Sequence, residues 1–428
     1  MHLFSLMCTG VLYNVVEAFL LWKGRKSMKI LVIGNGVASF TLIRELLKHD
    51  GNFKMDVFSE EDHPFYWRPR LIELLANEAD LETITPHDVK WYEDKGIALH
   101  LGEKVVQVNT EEKKLFTLGK REFEYDVLVI ASGAKPFLPP VRGNDLKSVY
   151  TVRTYKDVSA LKKNYGQEKK FVIIGGGVLG LEIAAALKRA GEDNVTVVEH
   201  SPYLLSRQLD STGGQVLKNE LKRHYDIDFL LSKSVTEIKG DGKVEGVTFS
   251  DGTECEADVV IFSTGVRTNV NFLENTEIKI ERGIVVNDSL ETNIKGVCAI
   301  GDVAQHRGIV YGTMPPAVEE AKILAGILNA EDVSYQGSIR SNMLKVAGLE
   351  VMSIGTFEPI SGEELFSSQG DMLRGKYKKV IVKNGKFAGA IAVGVKKSDM
   401  LSMKNMVENG DKPTLPIYEY TKLEEGEK

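Results

Sequence analysis

Four residues in the middle of the chain have the types and spacing to hold a dinucleotide. Gly175, Gly177 and Gly180 form a Gly-x-Gly-x-x-Gly run, and Glu199 closes the next apolar stretch. The first glycine permits a tight turn, the second lets a pyrophosphate approach the backbone, and the third lets a helix pack closely on the strand before it. Val178 and Leu179 open that helix, whose free N–H groups would face the phosphates. A carboxylate at Glu199 would accept hydrogen bonds from both ribose hydroxyls and repel a 2′-phosphate, which favours NADH over NADPH. A weaker copy of the turn lies near the start, Gly34-Asn35-Gly36-Val37-Ala38-Ser39, with small Ser39 where a third glycine would stand. Glu60 is its candidate ribose acid, with Ser59 in the strict register. Further on, Gly301-Asp302 ends an apolar strand and puts a carboxylate at the mouth of a nucleotide site, where it can accept from polyol hydroxyls.

The elements that must position these residues read as two βαβ units. In one, Phe171–Ile174 is a buried strand, Val178–Arg189 a helix and Val195–Val198 a second strand; in the other, Ile30–Ile33, a helix to about Lys48, and Met55–Phe58. The copies continue in parallel: FEYDVLVIASGAKP (Phe123 to Pro136) matches CEADVVIFSTGVRT (Cys255 to Thr268), pairing Asp126 with Asp258 and Gly133 with Gly265. Asp241-Gly242 and Asp251-Gly252 are hairpin signals in the lead-in of the second copy. Pro315 and Pro316 suit the start of a helix running to about Leu328. Its positive end would stabilise the anionic N1 and C2-oxygen region of a reduced flavin, unless it is simply an ordinary capped helix. From about Glu331 the pattern changes to antiparallel strands, with a hairpin at Asn384-Gly385 and a closing helix from about Lys397 to Asn409.

The fold class expected is therefore α/β, with two homologous Rossmann-like three-layer nucleotide-binding domains, one inserted in the other, plus an α+β C-terminal domain. The expected boundaries are residues 28–148 with 274–330, residues 149–273, and residues 331–428, the last ending in an acidic, disordered tail.

Composition narrows the function. A hydrophobic fraction of 43% and a charged fraction of 27% are those of a soluble globular chain, and 428 residues call for two or three domains. A net charge of -6 gives no electrostatic reason to expect nucleic acid. Cys8, Cys255 and Cys298 are too scattered for a disulfide framework, a zinc site or an iron–sulfur site, and the 8 histidines show no close pairing, so no metal is expected. A reducing, cytoplasmic setting follows. The first 27 residues stand apart: Leu3 to Leu21 is mostly apolar, and Lys23, Arg25 and Lys26 follow. No basic residue precedes the apolar run, against a signal peptide, and Glu17 is expensive inside a membrane anchor. The expectation preferred is that Met28 is the true start, with codons for Lys23-Gly24-Arg25 able to contain a ribosome-binding sequence.

Over Met28 to Asn409 the chain resembles the pyridine-nucleotide-dependent flavoprotein reductases, a family with an FAD domain split around an inserted NAD(H) domain and a C-terminal interface domain. The resemblance implies non-covalent FAD held by Gly34, Gly36, Val37, Ala38, Ser39, Ser59, Glu60, Arg68, Val105, Ala131, Ser132, Gly133, Gly301, Asp302, Pro316 and Ala317. It implies NADH held by Gly175, Gly177, Val178, Leu179, Gly180, Glu182, Glu199 and Gly265, with Glu182 where family members place an acid beside the nicotinamide. Hydride transfer from NADH to FAD N5 then needs no side-chain catalyst. The stretch EEDHPFYWRPRLIELLANE, Glu60 to Glu78, has no cysteine, against thiol chemistry. Instead Tyr66-Trp67-Arg68-Pro69-Arg70-Leu71 resembles the Tyr-x-Arg-Pro-x-Leu segment of reductases serving ferredoxins and rubredoxins, and the acid Glu73 brings it closer to rubredoxin reductases. Arg68 and Arg70 are open to two roles, lining the flavin or docking an acidic carrier. The expected partners are NADH and a small electron carrier, rubredoxin first and ferredoxin next. An NADH:quinone reductase, an NADH oxidase-like flavoprotein and a non-enzymatic FAD/NADH-binding redox sensor stand as alternatives.

Overall fold

The computed structural model describes residues 27–49, 53–166, 168–338, 341–357 and 364–423. The expectations for residues 1–26 and for the last five residues of the tail lie outside the described residues. The chain forms two compact units. One gathers the described residues up to Trp67, Leu81–Lys135 and Val266–Ser338; the other gathers Arg68–Asp80, Pro136–Gly265 and the described residues from 341 onward.

The first unit is built on a parallel sheet in the order Val297–Ala299, Val127–Ile130, Met28–Ile33, Phe53–Phe58, Ile97–His100. Its strands are short apolar runs buried on both faces, as parallel strands covered by helices must be. Helix Val37–Leu46 buries Ala38, Ser39, Phe40, Leu42, Ile43 and Leu46, and packs alongside helix Met314–Leu328. A three-stranded antiparallel sheet, Val105–Asn109, Lys114–Thr117 and Glu122–Glu124, hangs off the parallel one.

The second unit repeats the plan. Its parallel sheet runs Asp228–Leu231, Asn194–Glu199, Lys170–Ile174, Val259–Phe262, Val149–Thr151, and its antiparallel sheet is Val235–Lys239, Gly246–Phe249, Glu254–Glu256. The paired aspartates explain part of the likeness. Asp126 accepts from the Lys29 N–H at 2.8 Å and Asp258 from the Lys170 N–H at 3.0 Å, so each locks the start of its central strand. The fifth strand differs in origin: in the second sheet, Val149–Thr151 precedes the βαβ unit, whereas in the first, Val297–Ala299 follows everything else. The chain also comes into and leaves this unit side by side, with the Phe137 N–H donating to Gly265 O at 2.9 Å and Thr264 Oγ1 to Phe137 O at 2.6 Å.

The same unit holds an antiparallel sheet ordered Ser341–Val346, Leu349–Gly355, Lys386–Val393, Lys376–Lys383, Leu365–Asp371, over which helix Lys397–Glu408 buries Met400 and Met403. Asn384 and Gly385, both at positive φ (53° and 72°), make the expected two-residue hairpin turn. A buried ion pair ties this sheet to helix Ser211–Tyr225: Lys379 Nζ lies 2.8 Å from Asp210 Oδ2, and Asp210 also accepts from Tyr377 Oη and caps the helix through Gly213 N. No helix among the described residues is long and apolar enough to cross a membrane.

Candidate nucleotide-binding sites

Each βαβ unit ends its first strand in a glycine that nothing larger could replace. Gly34 (φ +106°) would place a Cβ 2.2 Å from Ala131 O, and Gly175 (φ +122°) one 2.3 Å from Ser263 O. The glycine N–H in turn donates to the end of the next strand, to Phe58 O and Val198 O, both at 2.8 Å. Thus Ala131 and Ser132, two of the expected FAD residues, form the wall behind the first turn. The second glycines are of another kind. A Cβ at Gly36 or Gly177 would meet nothing within 4 Å, which leaves open space over the backbone where a pyrophosphate is expected.

At the third position the two copies part. Gly180 would clash at 2.0 Å with Gly175 O, whereas Ser39 donates its hydroxyl to Gly34 O at 2.6 Å. Ser39 is therefore more than a small substitute: it replaces close helix packing by a hydrogen bond to the same carbonyl.

The helix starts point the same way. Helices Val89–Asp94, Tyr155–Lys162 and Ser211–Tyr225 are capped by side chains of Asp88, Thr154 and Asp210. The helices Val37–Leu46, Val178–Arg189 and Met314–Leu328 have no side-chain cap and no acid in the first turn. Their first N–H groups and positive ends thus suit an anion. In the first unit, Gly301 (φ +79°) would put a Cβ 3.1 Å from Ala38 and 3.9 Å from Ala317, so the Gly301-Asp302 turn and both helix starts converge. Pro316 is buried at this start. The Asn35 side-chain nitrogen, inside the first turn, is buried without a protein partner. Open space, uncapped helix ends and this unpartnered donor fit a phosphate-bearing cofactor such as FAD.

Other expected residues have commitments the sequence did not announce. Glu199 is buried, and its carboxylate accepts from Gly176 N at 2.6 Å and Ser201 N at 2.8 Å, with His200 Nδ1 2.7 Å away. Glu60 is half-exposed and held below its ordinary carboxylate range: burial works to raise it, but Lys104 at 2.9 Å and Lys135 at 3.7 Å outweigh that. Ser59 Oγ accepts from Glu61 N. Arg68 Nη1 donates to Arg153 O at 2.9 Å, and Arg70 makes a two-pronged pair with Glu73. Glu182 Oε1 accepts from Ala347 N at 3.1 Å, and burial pushes its carboxyl up. Val105 is part of the core, Gly133 and Gly265 turn at positive φ, and Leu179 is exposed beside the second turn. Cys298 is buried and its thiol is pushed well up by burial, so it is no thiolate nucleophile. Among the described residues no cluster of His, Cys, Asp and Glu could hold a metal.

Comparison with known proteins meets this geometry. A family model described as pyridine nucleotide-disulphide oxidoreductase matches residues 28–321, and one described as rubredoxin NAD+ reductase C-terminal domain matches residues 341–411. The chain belongs to the pyridine nucleotide-disulphide oxidoreductase family. It is 40% identical over 368 residues to a nitrite reductase [NAD(P)H] of Bacillus subtilis, covering 86% of this chain but 45% of that protein, so it spans about half that relative's length. It is 31% identical over 371 residues to the NADH-rubredoxin oxidoreductase of Clostridium acetobutylicum, covering 86% of this chain and 92% of that one. The crystal structure of NADH:rubredoxin oxidoreductase from Clostridium acetobutylicum superposes with a TM-score of 0.76 at 29% identity, over 90% of this chain and 96% of that one. The family is one of NAD(P)H oxidoreductases that use FAD.

One residue at the first site escaped sequence reasoning. Glu320 accepts from Gly301 N at 2.6 Å and is 2% exposed. Its signal was available: it falls on the apolar stripe Pro316, Ala317, Ala321, Leu324, where a charge is out of place.

Proposed function

We propose that the chain carries electrons from NADH through FAD to a small one-electron carrier protein, rubredoxin first among the candidates. FAD would be held by the fold of residues 28–148 and 274–330, and NADH by that of residues 149–273. The observation that carries this is the duplicated turn, each copy with open space at its second glycine and an uncapped helix start beyond it. FAD, when bound, supplies the chemistry that links a two-electron hydride donor to a one-electron acceptor. The chain's residues orient and hold. Gly177, Val178 and Leu179 present the helix N–H groups to the NADH pyrophosphate, and Gly36, Val37 and Ala38 do the same for FAD. Asp302 accepts from polyol hydroxyls. Glu199, fixed by the Gly176 and Ser201 N–H groups, keeps lone pairs for the adenosine ribose and disfavours a 2′-phosphate.

A second reading rests on the stronger likeness to the nitrite reductase, of which this chain spans less than half: it supplies electrons to a separate reductase through an iron–sulfur carrier. Anaerobic rapid mixing with NADH, and then with rubredoxin, ferredoxin or a soluble quinone in separate runs, tests both. Fast bleaching of the flavin absorbance by NADH and fast return with rubredoxin support the first reading. Return only with ferredoxin supports the second, return only with quinone refutes both, and no bleaching refutes NADH as the donor.

A further inference from the structure

Behind the Gly301-Asp302 turn lies a carboxyl group that the function above leaves unused. Glu320 stands on the second turn of helix Met314–Leu328, with Oε2 accepting from the Gly301 N–H. The buried Tyr335 hydroxyl stands beside it. Glu320 is thus a carboxyl shut away from water, 2% exposed, with the Gly301 N–H as its backbone donor.

Burial and the neighbouring charges favour the neutral form. Asp302 on the neighbouring turn and Glu319 on the same helix both bring negative charge to Glu320. Tyr311 and His306 pack on the Tyr335 ring, at 6.3 and 4.7 Å, and His306 is paired with Asp288, itself bound by Arg307. On the adjacent helix Val37–Leu46, Arg44 lies over the Phe40 ring and Glu45 pairs with Lys48. No cation is paired with Glu320 among the described residues. Burial first, and then the two acids, push its carboxyl up to about 8 against the pull of the Gly301 N–H and the Tyr335 hydroxyl.

We propose that Glu320 is a proton-holding positioning residue for the FAD site: neutral, it leaves the positive helix end available to an anionic ligand, and ionised, it adds a negative charge behind Asp302 and loosens the hold on FAD. The inference rests on the assignment of FAD to this turn. Its test is the retention of FAD by the full-length holoprotein, read as the rise in flavin fluorescence over a dilution series at pH values from about 6 to 10. Wild type should hold FAD evenly below about pH 7 and lose affinity by about threefold or more above pH 9. Glu320→Gln should show no such fall. Glu319→Gln, a surface change, should move the fall to lower pH, because a charge that keeps the proton on Glu320 is gone. A wild-type profile that stays level, or one that Glu320→Gln reproduces, overturns the proposal. Protein that retains no FAD at any pH overturns the site assignment itself, and the proposal with it.

Discussion

Gly177 and Gly180 lie in one turn, yet substitution should separate them into a binding glycine and a packing glycine. A methyl group at Gly180 would sit 2.0 Å from Gly175 O. Gly175 cannot retreat, because it already abuts Ser263 O and turns at φ +122°. Ordinary carbon–oxygen contact therefore requires helix Val178–Arg189 to withdraw by roughly 1 Å or more, at an overpacking cost of about 3 kcal/mol. For a unit of this size that is a fall in Tm of roughly 6–12 °C. At Gly177 the same methyl meets nothing, and φ -80°, ψ 177° suits any residue, so Gly177→Ala should cost no more than about 1 kcal/mol. Its methyl, however, occupies the open space proposed for the NADH pyrophosphate, and NADH binding should weaken about tenfold or more, about 1.4 kcal/mol. Thermal unfolding and NADH titration of both variants decide the matter. Gly180→Ala melting with wild type, or Gly177→Ala binding NADH normally, would refute the assignment.

Glu199→Ala should narrow the preference for NADH; an unchanged NADH to NADPH ratio of kcat/KM would remove Glu199 from that role. Lys379→Met leaves the Asp210 charge buried without its cation and should cost about 3 kcal/mol or more in urea unfolding, while adding Asp210→Asn should recover much of it. Glu320 also predicts a pH effect on stability. Its folded value of about 8 lies above the ordinary 4.5, so the folded state keeps a proton that the unfolded chain releases. Its contribution is intact below about pH 4.5 and is lost as pH rises to about 8, a few kcal/mol in all. Glu320→Gln should remove that slope from urea unfolding measured between pH 5 and 9, and equal slopes in the two proteins would contradict it.

Much of this was legible because glycine and alternating apolar runs leave few options. Helix Val178–Arg189 ends where its pattern ends, and helix Met314–Leu328 starts within a residue of its prolines. Helix Val37–Leu46 stops two residues short of the expected Lys48, within ordinary fraying. Partners were harder to read than elements. Nothing in the spacing says that Glu60 meets Lys104 and Lys135, or that Glu182 is taken up by the backbone of Ala347, far along the chain. Nor does the spacing say that Asp210 is buried and paired with Lys379. The strand Val149–Thr151 is too short to carry a pattern, and pairing with Val259–Phe262 alone makes it part of the sheet.

The side-by-side passage of the chain at Phe137 and Gly265 has a thermodynamic consequence for the first fold. While the inserted stretch is folded, the host sees its two ends joined as though by a tight loop. If the insert melts, the host must close a floppy loop of more than a hundred residues, at an entropic cost of roughly 4 kcal/mol. The two folds thus reinforce one another through chain connectivity alone, and a destabilising change in the insert is felt by the host without a single altered contact there.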